Sequence, residues 1–345
     1  LMVYGANGYS AQLIIDELIG RGIKPVLAGR NESLVKQLAE KYDYDYKVFD
    51  IEDDEKIIAA LEGVHTVLNC AGPFKYTAKD LIDGCLSSKT NYIDITGEIP
   101  ALHLAFRQNE AAKKSGIVIL PGAGFDVIPT DCLAKHLSEL MPDAVHLKLG
   151  FLNKRGKISR GTLLTTLESL AGVGIIRRNG VLLESDIGEF TIKVNTKNFL
   201  FRGVSIPWGD VYTSFYSTGI PNVEVYLGLP QLFVQFRALL RFVLKIFTIP
   251  TVKNFASNYI KKNFTGPTKM ERDSTGTYVW GCVENAKGDM IEEVYQFMEG
   301  YNLTAIGASE CAERVLKNSL HPGTYTPSLA FGSGFMDLFV IRKIV

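Results

Sequence analysis

The sequence predicts an α/β protein in which a parallel sheet wrapped by helices is followed by an α+β domain with a second sheet. Strand and helix patterns alternate up to about residue 130, as expected of a parallel sheet. From about residue 143 the pattern changes to longer alternating stretches broken by glycine. With 345 residues the chain is long enough for two domains. We therefore predict a first domain over residues 1–135, a second over 136–320, and a segment over 321–345 that packs back on the first domain.

Apolar periodicity and capping residues define the elements of the first domain. Strands are expected at 24–29, 46–50, 64–69, 91–95 and 117–120. Asp53 and Asp54 are suited to cap the helix that runs to Leu61. The run Thr77-Ala78-Lys79-Asp80 resembles a capping box and predicts that a helix begins there. A further helix is expected over 101–115.

The second domain is predicted from its alternating stretches. Residues 276–283 and 290–298 flank a polar turn and predict a β-hairpin. Near the end of the chain, 303–316 predicts a helix, and 325–338 is another apolar segment. These patterns are typical of an α+β domain.

The first strand and the first helix are joined by a glycine-rich turn, Gly5-Ala6-Asn7-Gly8-Tyr9-Ser10-Ala11. A turn from strand to helix leaves the first N–H groups of the helix unpaired and directs the positive end of its dipole outward, which favours a phosphate. Gly5 permits the tight turn, Gly8 lets a pyrophosphate approach the backbone, and Ala11 lets the helix pack closely on the sheet. The turn predicts a Rossmann-type, dinucleotide-binding domain, and an ordinary glycine loop is the alternative.

Arg30 follows the second predicted strand, at the position that distinguishes between dinucleotides. An acidic residue there binds the adenosine ribose, whereas an arginine accommodates a 2′-phosphate. The first carboxylate beyond the strand is Glu32. We therefore predict NADP, bound as NADPH, rather than NAD. The alternative is that Arg30 is a solvated residue at a strand end.

The residues predicted to bind this cofactor lie where the first four strands end. Asp50 is suited to hydrogen-bond the adenine amino group, and the small residues after the fourth strand let the nicotinamide half approach the backbone. The predicted set is Gly5, Asn7, Gly8, Tyr9, Ser10, Arg30, Ser33, Asp50, Asn69, Ala71, Gly72 and Pro73.

Composition excludes several classes of function. Lys plus Arg and Asp plus Glu are balanced at 37 each, so we expect no nucleic-acid partner. The five cysteines are scattered and contain no C-x-x-C, which indicates small core residues in a reducing compartment. The five histidines are equally scattered, so no metal site is predicted. We expect a cytoplasmic protein that acts on a small molecule.

The segment 229–249 is rich in Leu, Phe, Val and Ile, yet Arg237, Arg241 and Lys245 interrupt it at intervals of four residues. That interval places the three cations on one face of a helix. Such a helix either lies on a membrane surface or covers the sheet of its own domain. Peripheral contact with a membrane or a lipid droplet is therefore one expectation for this segment, and a homodimer is a further open alternative.

Several motifs together resemble one family of oxidoreductases. They are Gly5 to Ala11, Ala28-Gly29-Arg30, Asn69 to Phe74, Tyr92 to Glu98, Gly124 to Asp131, Ser159 to Thr162 and Thr326 to Gly332. On these motifs the chain resembles the saccharopine dehydrogenase-like oxidoreductases, in particular the branch that includes the mycobacterial trans-acting enoyl reductases. The resemblance implies a Rossmann domain, an inserted substrate domain and NAD(P)H-dependent reduction, and it permits association with lipid droplets or with polyketide-lipid synthesis.

Hydride transfer also needs a proton donor. The Tyr-x-x-x-Lys pair of short-chain dehydrogenases is absent from the sequence. Polar side chains follow two strands of the predicted sheet, namely Asp94, Thr96 and Glu98 after one and Asp126 and Asp131 after another. The sequence does not identify the donor, and the candidates that we name are Asp126, Glu98 and Tyr92. Asp126 is equally suited to order a turn and Glu98 to lie on the surface, and a water molecule is a further donor.

Three functions follow from these observations. The first is an NADPH-dependent oxidoreductase that reduces a lipid-like enoyl or carbonyl substrate. The second is a saccharopine-type amino-acid dehydrogenase, which needs convergent arginines to hold several carboxylates. The arginines available for that are Arg155, Arg160, Arg177, Arg178 and Arg202. The third is a membrane- or droplet-associated protein that binds NADP without turnover.

Overall fold

The computed structural model describes residues 1–154, 157–170, 173–197, 199–236, 243 and 245–345. The chain folds into two compact units. The first unit consists of Leu1–Ile128 and Tyr301–Ala330. The second consists of Pro129–Gly300 and Phe331–Val345. The chain therefore crosses from the first unit to the second, returns, and crosses again near its end.

The elements are numbered in chain order. The strands are β1 (Met2–Tyr4), β2 (Val26–Gly29), β3 (Tyr46–Val48), β4 (Thr66–Asn69), β5 (Asn91–Asp94), β6 (Val118–Leu120), β7 (Ala144–Lys154), β8 (Gly174–Arg178), β9 (Val181–Ser185), β10 (Thr191–Asn195), β11 (Leu200–Ser205), β12 (Asn222–Gly228), β13 (Gly276–Asn285), β14 (Met290–Phe297), β15 (Gly323–Thr324) and β16 (Val340–Lys343). The helices are α1 (Tyr9–Gly20), α2 (Glu32–Tyr42), α3 (Asp54–Leu61), α4 (Phe74–Ser88), α5 (Ile99–Arg107), α6 (Asn109–Ser115), α7 (Ile128–Leu140), α8 (Arg160–Leu170), α9 (Asp210–Thr218), α10 (Gln231–Gln235), α11 (Pro250–Asn263), α12 (Lys269–Asp273), α13 (Gly300–Leu316) and α14 (Pro327–Phe331), with a 3-10 helix at Ser333–Leu338.

The sheet of the first unit is parallel throughout, with strand order β15-β6-β5-β4-β1-β2-β3. Its central strands are buried, as Met2, Val3 and Tyr4 of β1 show. Because β1 pairs with both β2 and β4, the chain order reverses beside it. Ligands of such sheets bind at the carboxyl ends of the strands beside this reversal. The predicted Rossmann-type sheet is confirmed.

The sheet of the second unit is mixed. Its main path runs β10-β11-β12-β7-β13-β14-β16, with β8 and β9 branching from β12. Strand β12 is parallel to β7, whereas β13 and β14 form the predicted antiparallel hairpin. The ring of Phe201 stacks on Trp280 with centroids 5.9 Å apart, and a Cβ at Gly150 would lie 2.7 Å from that phenyl ring. An aromatic cluster thus forms part of the core of this unit.

The unit boundaries differ from the predicted domain boundaries at the end of the chain. Helix α13 lies in the first unit, where Arg21 donates to Glu310 at 2.6 Å and to Glu313 at 2.9 Å. Strand β15 extends the first sheet through β6, but β16 pairs with β14 in the second. The predicted tail 321–345 is therefore divided between the two units, because its strands complete different sheets.

The helix predicted over 101–115 is two helices, α5 and α6, that meet at Gln108. The side chain of Asn109, the first residue of α6, accepts a hydrogen bond from the Thr324 N–H at 3.0 Å. This break therefore brings the start of α6 against β15. Among the helices that the structure describes, none is both long and apolar enough to span a bilayer.

Candidate functional site

The glycine turn between β1 and α1 is closed by backbone hydrogen bonds. The N–H groups of Gly5 and Ala6 donate to the carbonyl oxygen of Ala28, at 2.8 and 3.0 Å. Gly5 has a φ of +78°, and a Cβ there would lie 2.9 Å from the backbone nitrogen of Ala71. Only glycine fits this turn without strain, because the conformation is left-handed and the loop after β4 lies directly against it.

Helix α1 begins directly after Gly8, which is its N-cap and has an extended backbone. The N–H of Gly8 donates to the Gly5 carbonyl oxygen at 2.9 Å, and a Cβ at Gly8 would approach that oxygen to 3.1 Å. Gly8 has no side chain to cap the helix, and the first turn contains no acidic residue. The N-terminal end of α1 therefore keeps its positive partial charge and is suited to an anion such as a pyrophosphate.

Arg30 lies at the end of β2 and is exposed. In the part of the chain that the structure describes, its guanidinium makes no hydrogen bond or salt bridge. The next residue, Asn31, is the N-cap of α2 and accepts the Leu34 N–H at 3.1 Å, and Ser33 Oγ donates to the same Asn31 oxygen at 2.9 Å. The side chains that follow Arg30 thus complete the helix start, and the guanidinium itself is left available for a ligand.

Asp50, predicted to bind adenine, is exposed after β3. Burial raises the pKa of Tyr4 to about 12, with Asp50 raising it further and Arg30 lowering it. Both charges therefore lie near the Tyr4 hydroxyl, which donates to the Phe49 carbonyl oxygen at 3.3 Å. Asp50 and Arg30 consequently occupy the same end of the sheet.

Asn69 ends β4 and is fully buried. Its Nδ2 donates to Thr77 Oγ1 and to the Tyr92 hydroxyl, each at 3.1 Å, and its Oδ1 accepts the Ala71 N–H at 2.9 Å. The side chain is thus engaged within the protein. Asn69 positions the loop that contains Ala71, Gly72 and Pro73.

Helix α4 begins at Phe74, so the predicted start at Thr77-Ala78-Lys79-Asp80 is wrong. The cap comes from outside the helix, since Glu98 accepts the N–H groups of Phe74 and Lys75 at 2.8 and 2.9 Å. Thr77 instead donates to the Ala71 carbonyl oxygen at 2.8 Å. A carboxylate is favourable at a helix N-terminus because it meets unpaired N–H groups and the positive end of the dipole.

The same hydrogen bonds bear on whether Glu98 is suited to be the proton donor. The side chain is buried, and both of its oxygens accept backbone hydrogen bonds. Such bonds favour the ionised carboxylate. Glu98 is therefore better suited to hold the start of α4 than to give up a proton.

Tyr92 and Asp94 form a buried pair along β5. The Tyr92 hydroxyl donates to Asp94 Oδ2 at 2.8 Å, while Asp94 Oδ1 accepts the N–H groups of Thr96 and Gly122, both at 2.9 Å. Burial raises the pKa of Tyr92 well above its usual range and that of Asp94 to about 6. These contacts hold the loop after β6 against the end of β5. Tyr92 is enclosed within the protein and is not accessible to a ligand.

Asp126 lies in the loop between β6 and α7 and is half-buried. A Cβ at Gly97 would lie 2.6 Å from the Asp126 Cβ, so the carboxyl group packs closely over that glycine. Burial, and then the charge of Glu98, raise the pKa of Asp126 to about 7. Its carboxyl group forms no hydrogen bond with any residue that the structure describes. A carboxyl group with such a pKa is partly protonated near neutral pH, which is one requirement for a general acid.

The other carboxylate of that region, Asp131, belongs to the second unit. It lies in the first turn of α7, which begins at Ile128, and it accepts a hydrogen bond from Ser217 Oγ at 2.7 Å. Asp131 is fully buried. Its role is to hold α7 against α9.

Close approaches between loops connect the carboxyl ends of β1, β4, β5 and β6 into one site. Gly5 touches Ala71, Glu98 binds the start of α4, and Gly97 touches Asp126. Sequence patterns identify most of these residues, but they do not identify Glu98 as a helix cap. No local pattern could reveal it, since Glu98 and Phe74 are 24 positions apart. The described residues contain no group of His, Cys, Asp or Glu arranged to hold a metal ion.

Comparison with known sequences agrees with this geometry. Residues 1–120 match the family model described as the saccharopine dehydrogenase NADP binding domain. Over 151 residues the chain is 26% identical to the saccharopine dehydrogenase-like oxidoreductase of Bos taurus, a match that covers 38% of this chain and 35% of that protein. It is 25% identical over 139 residues to the trans-acting enoyl reductase of Mycobacterium leprae, covering 38% of this chain and 33% of that protein. The match thus spans about a third of the length of these curated relatives.

A solved structure extends the similarity to the whole chain. Apo saccharopine dehydrogenase (L-Glu forming) from Saccharomyces cerevisiae aligns over 100% of this chain and 99% of its own, with a TM-score of 0.64 and 15% identity. At this identity the likeness concerns the fold alone. The match of residues 1–120 is more specific, because it includes the glycine turn and Arg30. Residues 1–120 are therefore similar to a saccharopine dehydrogenase NADP-binding domain, and this match supports NADP as the cofactor.

Proposed function

We propose that the protein is an NADPH-dependent oxidoreductase that reduces a lipid-like enoyl or carbonyl substrate, with Asp126 as the proton donor. The observation that carries this proposal is the Asp126 carboxyl group at the carboxyl edge of the first sheet. Its pKa of about 7 leaves a substantial protonated fraction at neutral pH. A protein that only binds NADP does not require a carboxyl group that can act as an acid near neutral pH.

The residues around the glycine turn would hold the cofactor. The N-terminal end of α1 suits the pyrophosphate, and Arg30 suits the 2′-phosphate. Ser33, which was also predicted to bind the cofactor, donates its hydroxyl hydrogen to Asn31 instead. The loop Ala71–Pro73, held by Asn69, would lie along the nicotinamide half. Tyr9, Ser10 and Asn7 belong to the same turn and complete the predicted set.

The chemistry divides between cofactor and protein. When bound, NADPH supplies a hydride to an electrophilic carbon. Asp126 then donates its proton to the atom that gains negative charge. Glu98 supports this step indirectly, because its charge raises the pKa of Asp126 and keeps that carboxyl protonated to higher pH.

The arginines of the second unit bear on the choice of substrate. Arg177 is buried, donates to the carbonyl oxygens of Val211 and Gly180 at 3.0 and 2.7 Å, and lies over the Phe215 ring. Arg178 is paired with Glu224. Of the remaining candidates, Arg160 is exposed, Arg202 is half-buried, and Arg155 lies outside the described residues.

A saccharopine-type substrate carries several carboxylates, which need free convergent guanidinium groups. Because Arg177 and Arg178 are engaged within the second unit, they do not supply them. Two of the five arginines considered for such a substrate are therefore removed, which weakens the saccharopine-type alternative. The similarity to a protein named trans-acting enoyl reductase supports the proposed enoyl substrate.

The cofactor half of the proposal is tested by titrating NADPH and NADH into wild type, Arg30→Ala and the control Arg107→Ala. Arg107 is an exposed arginine of the same unit, remote in sequence from the turn. We expect Arg30→Ala to weaken NADPH binding about tenfold to a hundredfold, since it removes a charge-assisted contact to phosphate. NADH binding and the control should be unchanged. An equal loss of affinity for NADPH and NADH in Arg30→Ala would contradict the role given to Arg30.

The catalytic half is tested by following NADPH oxidation with acyl thioesters that carry an enoyl or a β-keto group, and with 2-oxoglutarate plus an amino acid. Consumption with the thioesters supports the proposal. Consumption with the amino-acid pair alone would establish the saccharopine-type alternative. Binding of NADPH without consumption in either panel would favour the third function, a dinucleotide-binding protein without turnover.

A further inference from the structure

A long stretch of the second unit lacks acidic residues. Between Glu224 and Glu271 the sequence contains no Asp or Glu. The same stretch contains seven cations, which are Arg237, Arg241, Lys245, Lys253, Lys261, Lys262 and Lys269. In a chain whose total charges balance, this stretch is strongly positive.

Helix α11 within this stretch has apolar side chains on both of its faces. Val252, Ala256 and Ile260 are half-buried, whereas Phe255 is 74% exposed and Tyr259 is 55% exposed. Phe255, Tyr259 and Lys262 recur at helical spacing and share the outward face. A surface helix ordinarily directs its aromatic residues toward the core and its polar residues outward. Here the larger apolar side chains face away from the protein.

The exposure extends beyond α11 on both sides. Leu232, Phe233 and Phe236 are exposed around α10, and Ile246, Ile249 and Phe264 are exposed next to α11. We define the basic apolar surface as the described residues of 229–264. Arg237 and Arg241, which the sequence analysis placed on one helical face, lie outside the described residues, and Lys245 is exposed.

We propose that the basic apolar surface docks on an anionic phospholipid membrane. Exposed aromatic and aliphatic side chains next to lysines, without acidic residues, match the interfacial region of a bilayer. The apolar groups enter the acyl boundary there, and the cations pair with negatively charged headgroups. The protein lies on the membrane in this proposal, and no described helix needs to cross it.

Charge argues against a second copy of this chain as the occupant. A twofold contact would place the same surface on both sides and bring lysines against lysines. A lipid surface of negative charge has no such penalty. This proposal does not depend on catalysis, so it stands or fails separately from the proposed function.

The experiment is flotation of the full chain with vesicles of phosphatidylcholine, with and without phosphatidylserine. The variants are Phe255→Ser/Tyr259→Ser and Lys261→Glu/Lys262→Glu. Two controls match them, since Ile58 is an exposed apolar residue of α3, and Lys113 and Lys114 are tandem exposed lysines at the end of α6. The controls are therefore Ile58→Ser and Lys113→Glu/Lys114→Glu. NADPH binding is measured on every variant, and unchanged binding shows that each one is folded.

We expect wild type to float with the phosphatidylserine vesicles and to be released by high salt, because screening weakens the attraction. The variant Lys261→Glu/Lys262→Glu should lower the partition coefficient into these vesicles by about tenfold or more, since each lysine near an anionic surface contributes roughly fivefold to membrane affinity. The aromatic pair should lower it by about tenfold, because less apolar area is buried. Both controls should float like wild type. Equal flotation of all variants, no flotation of wild type, or self-association that these substitutions abolish would each overturn the proposal.

Discussion

Several polar side chains at the carboxyl edge of the first sheet are buried, whereas aromatic side chains on the basic apolar surface of the second unit are exposed. At the sheet edge, Asn69, Tyr92 and Asp94 are fully buried. Asn69 donates a hydrogen bond to the Tyr92 hydroxyl, which in turn donates one to Asp94. On the basic apolar surface, Phe255 and Tyr259 extend outward from the protein. The difference fits the two proposals made above, in which the first region positions groups for chemistry and the second contacts a membrane.

A second contrast lies within the sheet edge itself. Glu98 and Asp126 interact electrostatically, yet Glu98 binds two backbone N–H groups and Asp126 forms no hydrogen bond among the described residues. Hydrogen bonding stabilises one carboxylate as an ion, and burial favours the neutral form of the other. Two adjacent acids thus acquire different roles from their surroundings.

The largest effect is expected from removing the proton donor. Asp126→Asn should lower the rate of NADPH-dependent reduction by about a hundredfold or more, because general acid catalysis contributes that much. NADPH affinity should be unchanged, and the exposed Asp45→Asn serves as a control in the same unit. The measurement is single-turnover NADPH oxidation with whichever substrate wild type reduces.

The pH dependence sharpens this prediction. Asp126 acts as an acid only when protonated, so the wild-type rate should fall as pH rises through about 7. Asp126→Asn should lose that dependence. A variant that keeps both the rate and its pH profile would remove Asp126 from the mechanism.

A smaller effect is expected at the glycine turn. Gly5→Ala introduces a left-handed alanine whose Cβ would lie 2.9 Å from the Ala71 nitrogen. We expect a loss of about 2–4 kcal/mol in the free energy of unfolding, from backbone strain plus overpacking. Gly22→Ala is the matched control, since Gly22 has a φ of +75° but nothing within 4 Å of the added Cβ.

The control should therefore lose only about 1–2 kcal/mol, the cost of the left-handed backbone. Urea denaturation measures both values, and NADPH titration should show weakened binding for Gly5→Ala alone. Equal destabilisation of the two variants would show that the contact with Ala71 is unimportant.

The smallest effect is expected at the helix cap. Glu98→Gln keeps the shape of the side chain but removes its charge from the N-terminus of α4, which should cost about 1–2 kcal/mol of stability. Loss of that charge should also lower the pKa of Asp126, so the pH at which the rate falls should move downward. Exposed Glu55→Gln is the control. A destabilised Glu98→Gln with an unmoved pH profile would limit Glu98 to a structural role.

Local signals made several elements of both units predictable. Asp53 caps α3 by accepting the Lys56 N–H at 3.1 Å, and Gly5 adopts the left-handed turn expected of it. The hairpin of β13 and β14 forms around its polar turn as predicted. For the cap and the hairpin the residues that interact are close along the chain, so the sequence pattern contains the whole interaction, whereas the Gly5 turn also depends on Ala28 and Ala71.

The sequence by itself determined the α/β class, the parallel sheet and the glycine turn with Arg30, because these depend on periodicity and on neighbouring residues. Only the tertiary structure decided that Glu98 caps α4 across 24 positions and that Arg21 holds α13 in the first unit across 289. The tertiary structure likewise decided that the pKa of Asp126 is raised and that the aromatic rings of α11 face outward. Burial and electrostatic environment are properties of the assembled fold, and no residue carries them before its distant neighbours are in place.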